Sequence, residues 1–467
     1  MSVYISSLPV YTGSASDLRW FIMNNSGETQ TFRYSGYNTS ITYGLGINSI
    51  QSTNATQATG ARAIAIGYGA SSTGDDSVCI GDVTGNNIGT RSVSIGKHGQ
   101  VAGNSVIAIG SGAYVSGTDS IAIGSETAAY NGGIVLGGNT SRATSIGCVT
   151  IGNSNERNLG AGYSSIMGYG NKVGDAPNYN PGPYNNIISS FSVINGDNST
   201  IGYNSIFGGS HNYITGTTSG ATLINTSGLT SVGTGDIVIN SFGNTITGTG
   251  EHKQLYGGFG NTISGSGTFG TIINGNSNSI TGGINNSILG GQSNTNSSTR
   301  GTILGGINNQ HSGTNGVVLG GEGNNATGWI ASVGGYNNTA SAEIGFVYGN
   351  QCIGQGQTIG IVGAEHGRTL GSTYRSFIGG GLYNWMTDAT NSAMIGGMNN
   401  TITGGTNIAM IACSGRTATT SQATFVENLV VFNYAALDFA NDTAAAAGGV
   451  VLGQIYHNNG AMRIRIV

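Results

Sequence analysis

Residues 91–125 read RSVSIGKHGQVAGNSVIAIGSGAYVSGTDSIAIGS, the same phrase, Val/Ile-x-Ile-Gly, three times at a spacing of about fourteen residues. A period of this length constrains the fold more than any other feature. A short unit that cannot bury its own apolar face has to stack on its neighbours. Taking the last apolar residue before the marker glycine as the register point gives Ile66, Ile80, Ile95, Ile109, Ile123, Leu136, Ile151 and Met167. A proline-containing interruption, GDAPNYNPGPYNN, follows at residues 174–186. The register resumes at Ile194, Phe207, Ile224, Ile239, Tyr256, Ile273, Leu289, Leu304, Leu319, Val333, Tyr348, Val362, Ile378, Ile395 and Ile411. The spacing predicts some twenty-three coils.

Within a coil the residues alternate. In AIAIG, Ile64 and Ile66 point one way and Ala63 and Ala65 the other, as in a short strand. The glycine that follows allows a tight turn. A second strand recurs in HNYITG, GNTITG, GNTISG, SNSITG and NNTITG, centred on Ile214, Ile246, Ile263, Ile280 and Ile402, each seven residues after its register point. In the first half the offset is six, as from Ile95 to Val101. The first turn is therefore uniform, and the second turn absorbs the variation in coil length. The expected fold is all-β: a repetitive parallel β-roll or β-solenoid of ~15-residue, two-strand coils stacked ~4.8 Å apart, with Asn and Ser/Thr ladders along the turns. The expected division is an amino-terminal docking and capping module at residues 1–50, β-roll repeats at 51–173, the interruption at 174–190, Asn/Gly-rich repeats at 191–415 and a carboxyl-terminal β-hairpin cap at 416–467.

Each coil offers only two to four large apolar side chains, and one thin roll cannot enclose them all. Apolar burial is worth ~25 cal/mol per Å² and ordering a residue costs ~1–2 kcal/mol. Several identical chains, intertwined or side by side, would seal each other's rungs, and a homotrimer is the expected arrangement.

Composition narrows the function classes. Charged residues are 7% of the chain and Gly occurs 85 times, yet 37% is hydrophobic and the apolar residues are periodic, which a disordered linker is not. The formal net charge is -4 with no basic stripe, which argues against a nucleic-acid partner. Cys79, Cys148, Cys352 and Cys413 lie far apart, without CxxC, and read as small buried hydrophobes. The opening MSVYISSLPVYTG does not read as a signal peptide, and no run of eighteen apolar residues predicts a membrane insertion.

The segment SVSIGKHGQVAGNSVIAIGSGAYVSGTDSIAIGSETAA resembles the head repeat of trimeric autotransporter adhesins, the YadA-like left-handed parallel β-roll, over roughly residues 58–170. SILGGQSN, TILGGINN and VVLGGEGNN, within residues 191–411, are a looser variant. The resemblance implies a homotrimer and an adhesive or fibrous role. Two features depart from that family: the missing signal peptide, and an ending without a heptad stalk or membrane anchor. The ending reads as a strand at Val426–Phe432, a short helix capped by Asp442 or Thr443 and closed by Gly448-Gly449, then a hairpin through NNG. Its pattern DxAAAAGGVxxGxxYxxxGxxxIRxx is similar to the carboxyl-terminal segment of many bacteriophage virion proteins, and LPVYTG…WFIMNNSGETQTFRYS resembles their amino-terminal module. Together these imply a fibre or appendage of a phage, crAss-like or related. Such a protein is assembled in host cytoplasm, docks on other phage structural proteins through the amino-terminal module and attaches to a host surface.

GSGTFG, residues 265–270, matches GxGxxG but lies between strands and opens no helix, so no nucleotide cofactor is expected. The acids Asp75, Asp76, Asp119 and Asp197 read as solvated turn residues, and the histidines His98, His211, His252, His311, His366 and His457 show no HxxxH spacing. No catalytic residue, metal site or cofactor is expected. Tyr383 and Trp385, in GLYNWMTDATN, fall where a loop is expected; they read either as cover for the roll's edge or as a stacking surface for a host-cell glycan. Trp329 reads as packing. Three further classes stay open beside the fibre: a capsule-degrading spike enzyme, which would want wider coils and a carboxylate-lined groove; a secreted bacterial adhesin; and an ice-binding solenoid, for which Thr-x-Thr occurs at 245–247 and 401–403 but not in most coils.

Overall fold

The structure is a computed structural model that describes residues 32–33, 40–43, 45–46, 48–52, 55–82, 86–144, 146–157, 163–173, 186–190, 192–196, 204–216, 220–231, 234–248, 250–430 and 434–466. The expected module at 1–50 lies almost wholly outside these residues, as do residues 174–185 of the interruption. The fold is all-β, a parallel β-solenoid of about 22 turns at ~15-residue spacing. It divides into two compact units, Met1–Ala326 and Thr327–Val467.

In the first unit, strands such as Ile64–Ile66, Val78–Ile80, Val93–Ile95, Ile107–Ile109 and Ile121–Ile123 pair in parallel and in register, so that Ile66, Ile80, Ile95, Ile109 and Ile123 form one column. The second strands, Gln100–Val101 and Tyr114–Ser116 among them, stack into another parallel sheet. At the start, Phe32–Arg33, Ser40–Tyr43 and Ile50–Ser52 form an antiparallel ribbon, and Ile50–Ser52 then pairs in parallel with Ile64–Ile66. The ribbon covers the edge of the first coil, a position where an open strand would recruit another chain.

Small residues face the interior. Ala65, Cys79, Ala108 and Ala122 are buried, while their neighbours Ile64, Ile66, Ile107 and Ile109 are only half-buried on the outer side of the same strands. The marker glycine has a steric cause. Gly110 has φ +133, and a Cβ there would lie 1.9 Å from the carbonyl oxygen of Gly124 in the next coil. Farther along, the interior carries larger side chains, with Leu255, Ile272, Ile288 and Ile303 facing Ile246, Ile263 and Ile280 of the second strands.

Asparagine closes the other side of the core. Asn244, Asn261, Asn278, Asn294, Asn309 and Asn324 are all buried in one column. Each side-chain carbonyl accepts the backbone N–H of the next member, for example Asn278 N–H to Asn261 Oδ1 at 2.9 Å and Asn309 N–H to Asn294 Oδ1 at 3.0 Å. The Nδ2 groups donate to carbonyls of the following coil: Asn278 to Gly291 at 3.0 Å, Asn309 to Gly321 at 3.0 Å. Backbone groups that the tight first turn leaves without ladder partners are thereby satisfied.

Three register assignments need correction. Ile194 is buried in a second strand, Val193–Gly196, paired with Ile214; the outward column passes instead through Ile188, which pairs with Met167 and Phe207. NIISSFSVING places apolar residues in both strands of one coil, so the first usable isoleucine was ambiguous. The register shift between Ile188 and Ser190 marks where the offset between columns changes from six to seven residues. In the second unit, Val333 pairs with Val347, and Ile361 with Ile378, all buried; the outward column passes through Gly334, Tyr348, Val362, Gly379 and Ile395. Paired glycines follow both residues, and a one-residue slip inverts the faces of a strand.

The second unit stacks from Ile330–Tyr336 to Ala423–Val426, with second strands such as Arg368–Leu370, Trp385–Thr387 and Thr401–Thr403. The last strand ends at Val426, where the expected one began, because it continues the register of Ile408–Ile411. A 3-10 turn at Tyr434–Leu437 precedes a helix at Asp442–Ala447. Its cap is Asn441, not Asp442 or Thr443: Asn441 is extended and its Oδ1 accepts the Ala444 N–H at 2.9 Å. Asp442 instead accepts from the Tyr456 hydroxyl at 2.6 Å and from the Ile466 N–H at 2.8 Å. The hairpin Ile455–Asn458/Ala461–Ile464 turns at Asn459-Gly460, both with positive φ.

Candidate functional site

The first-strand sheet is apolar on both faces. Its inner column is the core. Its outer column, within the first unit, runs Ile66, Ile80, Ile95, Ile109, Ile123, Leu136, Ile151, Met167, Ile188, Phe207, Ile224, Ile239, Tyr256 and Ile273 in paired register, and Leu289, Leu304 and Leu319 occupy the same place in later coils. Leu304 is 44% exposed and Leu319 49%. On the adjoining first turn, Phe242 and Phe259 stack at 5.6 Å and are also exposed. The second unit has a corresponding column of its own, in which Val362, Ile395 and Ile411 are exposed and Gly334 and Gly379 carry no side chain. The uninterrupted row of the first unit exceeds the scattered apolar residues of an ordinary surface.

The second-strand sheet has the opposite outer chemistry. Thr245, Thr262, Ser279, Thr295, Gln310 and Asn325 occupy its outward column in the first unit. Its surface can stay in water, whereas the first-strand surface is costly to leave there.

The structure puts Trp385 at the start of a second strand, Trp385–Thr387, rather than in a loop, because its alternation with buried Met386 matches Arg368–Leu370 and Thr401–Thr403 in register. Tyr383 sits in the preceding turn with φ 55. Both are exposed, and each has a partner in the preceding coil: the His366 ring lies 4.5 Å from Tyr383 at 8°, and the Arg368 guanidinium carbon lies 5.4 Å from the Trp385 centroid. The partners were missed, although HGR and YNW align at the coil spacing. Trp329, expected to pack, is 51% exposed.

GSGTFG spans the turn between strands Thr262–Ile263 and Thr271–Ile273. Asp76 pairs with Arg62 at the surface, which holds its carboxyl below the usual range. Among the described residues no three His, Cys, Asp or Glu side chains gather to hold a metal, and no helix is long and apolar enough to cross a membrane. His98, His211, His252 and His366 take positive-φ corners. His311 faces the core, buried, and burial lowers its pKa from 6.5 to about 4 against a weaker opposing contact with the Gly316 backbone. Lys253 is likewise buried; its ammonium donates to the carbonyls of Gly250 at 2.7 Å and Gly248 at 3.1 Å, and burial lowers its pKa against the opposing pull of Asp236.

The coil geometry agrees with comparison to known families. Residues 58–82 and 107–127 match the YadA head domain repeat, in two copies. No curated protein matches the chain at a significant level. The fold is a parallel β-roll, and two stretches of it are similar to the YadA head domain repeat.

Proposed function

We propose that the chain is a structural fibre protein whose copies associate as a homotrimer through the outward column of the first-strand sheet, and that the fibre attaches a phage particle to a host surface. The observation that carries the reading is the unbroken apolar outer column of the first unit, from Ile66 to Leu319, with the polar outward residues Thr245 to Asn325 on its second sheet. Self-association removes the first from water and leaves the second exposed. The YadA-like repeats support it, since such domains are typically homotrimeric. The virion setting rests on the terminal resemblances: the amino-terminal module would dock on other phage structural proteins, assembly would take place in host cytoplasm, and a host-cell glycan would be the receptor. On this reading the chain binds and does not catalyse.

Sedimentation equilibrium of the purified chain tests the association, with a trimer mass expected and a folded monomer in dilute buffer as the result that overturns it. The head-repeat match favours a second reading, a bacterial surface adhesin. Immunogold labelling separates the two: phage particles carry the label under the first, cell envelopes under the second. Release of sugars from capsule by the purified chain would replace both with the spike enzyme.

A further inference from the structure

We propose that the second unit carries a saccharide-binding ledge formed by Tyr383 and Trp385 above Asn399, Thr401 and Thr403, selective for neutral pyranose units. The inference rests on the attachment reading and supplies it with a site.

The parallel register fixes the arrangement. Arg368, Trp385 and Thr401 follow one another in one column of the second-strand sheet. On the turn beside it, the Tyr383 N–H donates to Glu365 O at 3.0 Å and the Asn399 N–H to Leu382 O at 2.9 Å, so His366, Tyr383 and Asn399 form a second column. Each step is one strand spacing, ~4.8 Å. On the side of the preceding coil both rings are backed, Tyr383 by the His366 imidazole and Trp385 by the Arg368 guanidinium. On the side of the following coil the neighbours are short, an asparagine and a threonine, with Thr403 beside them. The planar stack therefore stops at residues 383 and 385 and leaves a step, with two ring faces as its wall and amide and hydroxyl groups as its floor.

A pyranose suits such a step. Its C–H face packs on an aromatic face, whose quadrupole is negative there, and its hydroxyls meet groups that both donate and accept. An apolar protein side chain would leave that floor unpaired. The backing groups hold the rings before the ligand arrives, which lowers the ordering cost of binding. The neutral preference follows from where the charges sit. Arg368 lies behind the indole, away from the step, and Arg416 in the coil beyond is paired with Glu427 at 3.3 Å. Asn399, Thr401 and Thr403 carry no charge. Trp385, Thr401 and Thr403 belong to the second-strand sheet and not to the column assigned to self-association.

The test uses the full chain with cellohexaose, maltohexaose and chitohexaose as neutral probes and a hyaluronan hexasaccharide as the acidic one, followed by saturation-transfer NMR and calorimetry. At least one neutral probe should bind. Trp385→Ala and Tyr383→Ala should each weaken it tenfold or more. Thr401→Trp, which fills the step, should abolish binding, and Trp329→Ala should leave it unchanged. Unaltered thermal midpoints establish that the variants fold. Absence of binding by every neutral probe, survival of binding in Trp385→Ala and Thr401→Trp, or tighter binding of the acidic probe each overturns the proposal. The ledge lies within one chain, so binding by a folded monomer would uphold it while removing the trimer reading; a trimer that binds none of the neutral probes would do the reverse.

Discussion

Asn278 serves three coils at once. Its N–H donates to Asn261, its Nδ2 to Gly291, and its Oδ1 accepts the N–H of Asn294 at 3.0 Å. Truncation to alanine leaves the buried Asn294 N–H without its acceptor, a loss that costs ~1–3 kcal/mol, whereas the Gly291 carbonyl keeps the Asn276 N–H at 2.9 Å. Asn278→Ala should therefore lower local stability by roughly 1–3 kcal/mol, read as faster amide exchange between residues 276 and 296. His311 makes a second prediction. It lies in the core beside Asn296, Ala326 and Gly301, all uncharged. As pH falls below 6.5 the unfolded chain takes up a proton that the folded chain resists until about pH 4. The stability present above pH 6.5 is thus lost progressively on the way down to pH 4, by about 3 kcal/mol from the size of the shift. Urea midpoints measured between pH 7 and pH 4 should fall in the native chain and fall less in His311→Leu.

At the scale of the strand and turn, Gly110 and Gly363 make a contrast. Both have positive φ, but a Cβ on Gly110 would strike the next coil, whereas one on Gly363 meets nothing within 4 Å. Gly363→Ala should cost on the order of 1 kcal/mol, as expected for a left-handed residue that gains a side chain. Gly110→Ala should cost several times more, or break the stacking of the coils on either side, as thermal denaturation followed by circular dichroism would reveal. Much of this scale was legible in the sequence. The Ile-Gly phrase located the first strands, and Ile214, Ile246, Ile263, Ile280 and Ile402 are all buried in second strands. Which side of the strand faced inward was not legible. The strand Ile64–Ile66 offers isoleucine to one side and alanine to the other, and hydrophobicity alone would send isoleucine to the core. The narrow coil instead takes the alanine, a packing constraint that appears only when neighbouring coils are in place. The slips at Val333 and Ile378 share one cause: in these two coils the outward position is itself a glycine, Gly334 and Gly379, so the last apolar residue before the marker lies one place early. The pairing of Trp385 with Arg368 needed the alignment of two coils, since no feature within either coil reveals it.

For the whole molecule, the proposed association divides the work between the two sheets: one would exclude water between copies while the other faces it. Replacing Leu304 by Glu places a charge in the outer column, where burying it unpaired costs several kcal/mol. The variant should keep its β-rich dichroism and lose its trimer by sedimentation, while Thr262→Glu, in the polar column, should keep both. Loss of the trimer in both variants, or in neither, would show that the first-strand face is not the seam.

The asparagine column also bears on load. A chain held by its ends and pulled would give up its coils one at a time, since each coil bonds mainly to the one before and the one after. Releasing ~15 residues frees about 50 Å of extended chain, so an optical trap should record a staircase of nearly equal lengths, with its tallest risers where Asn261 to Asn324 stitch successive coils together.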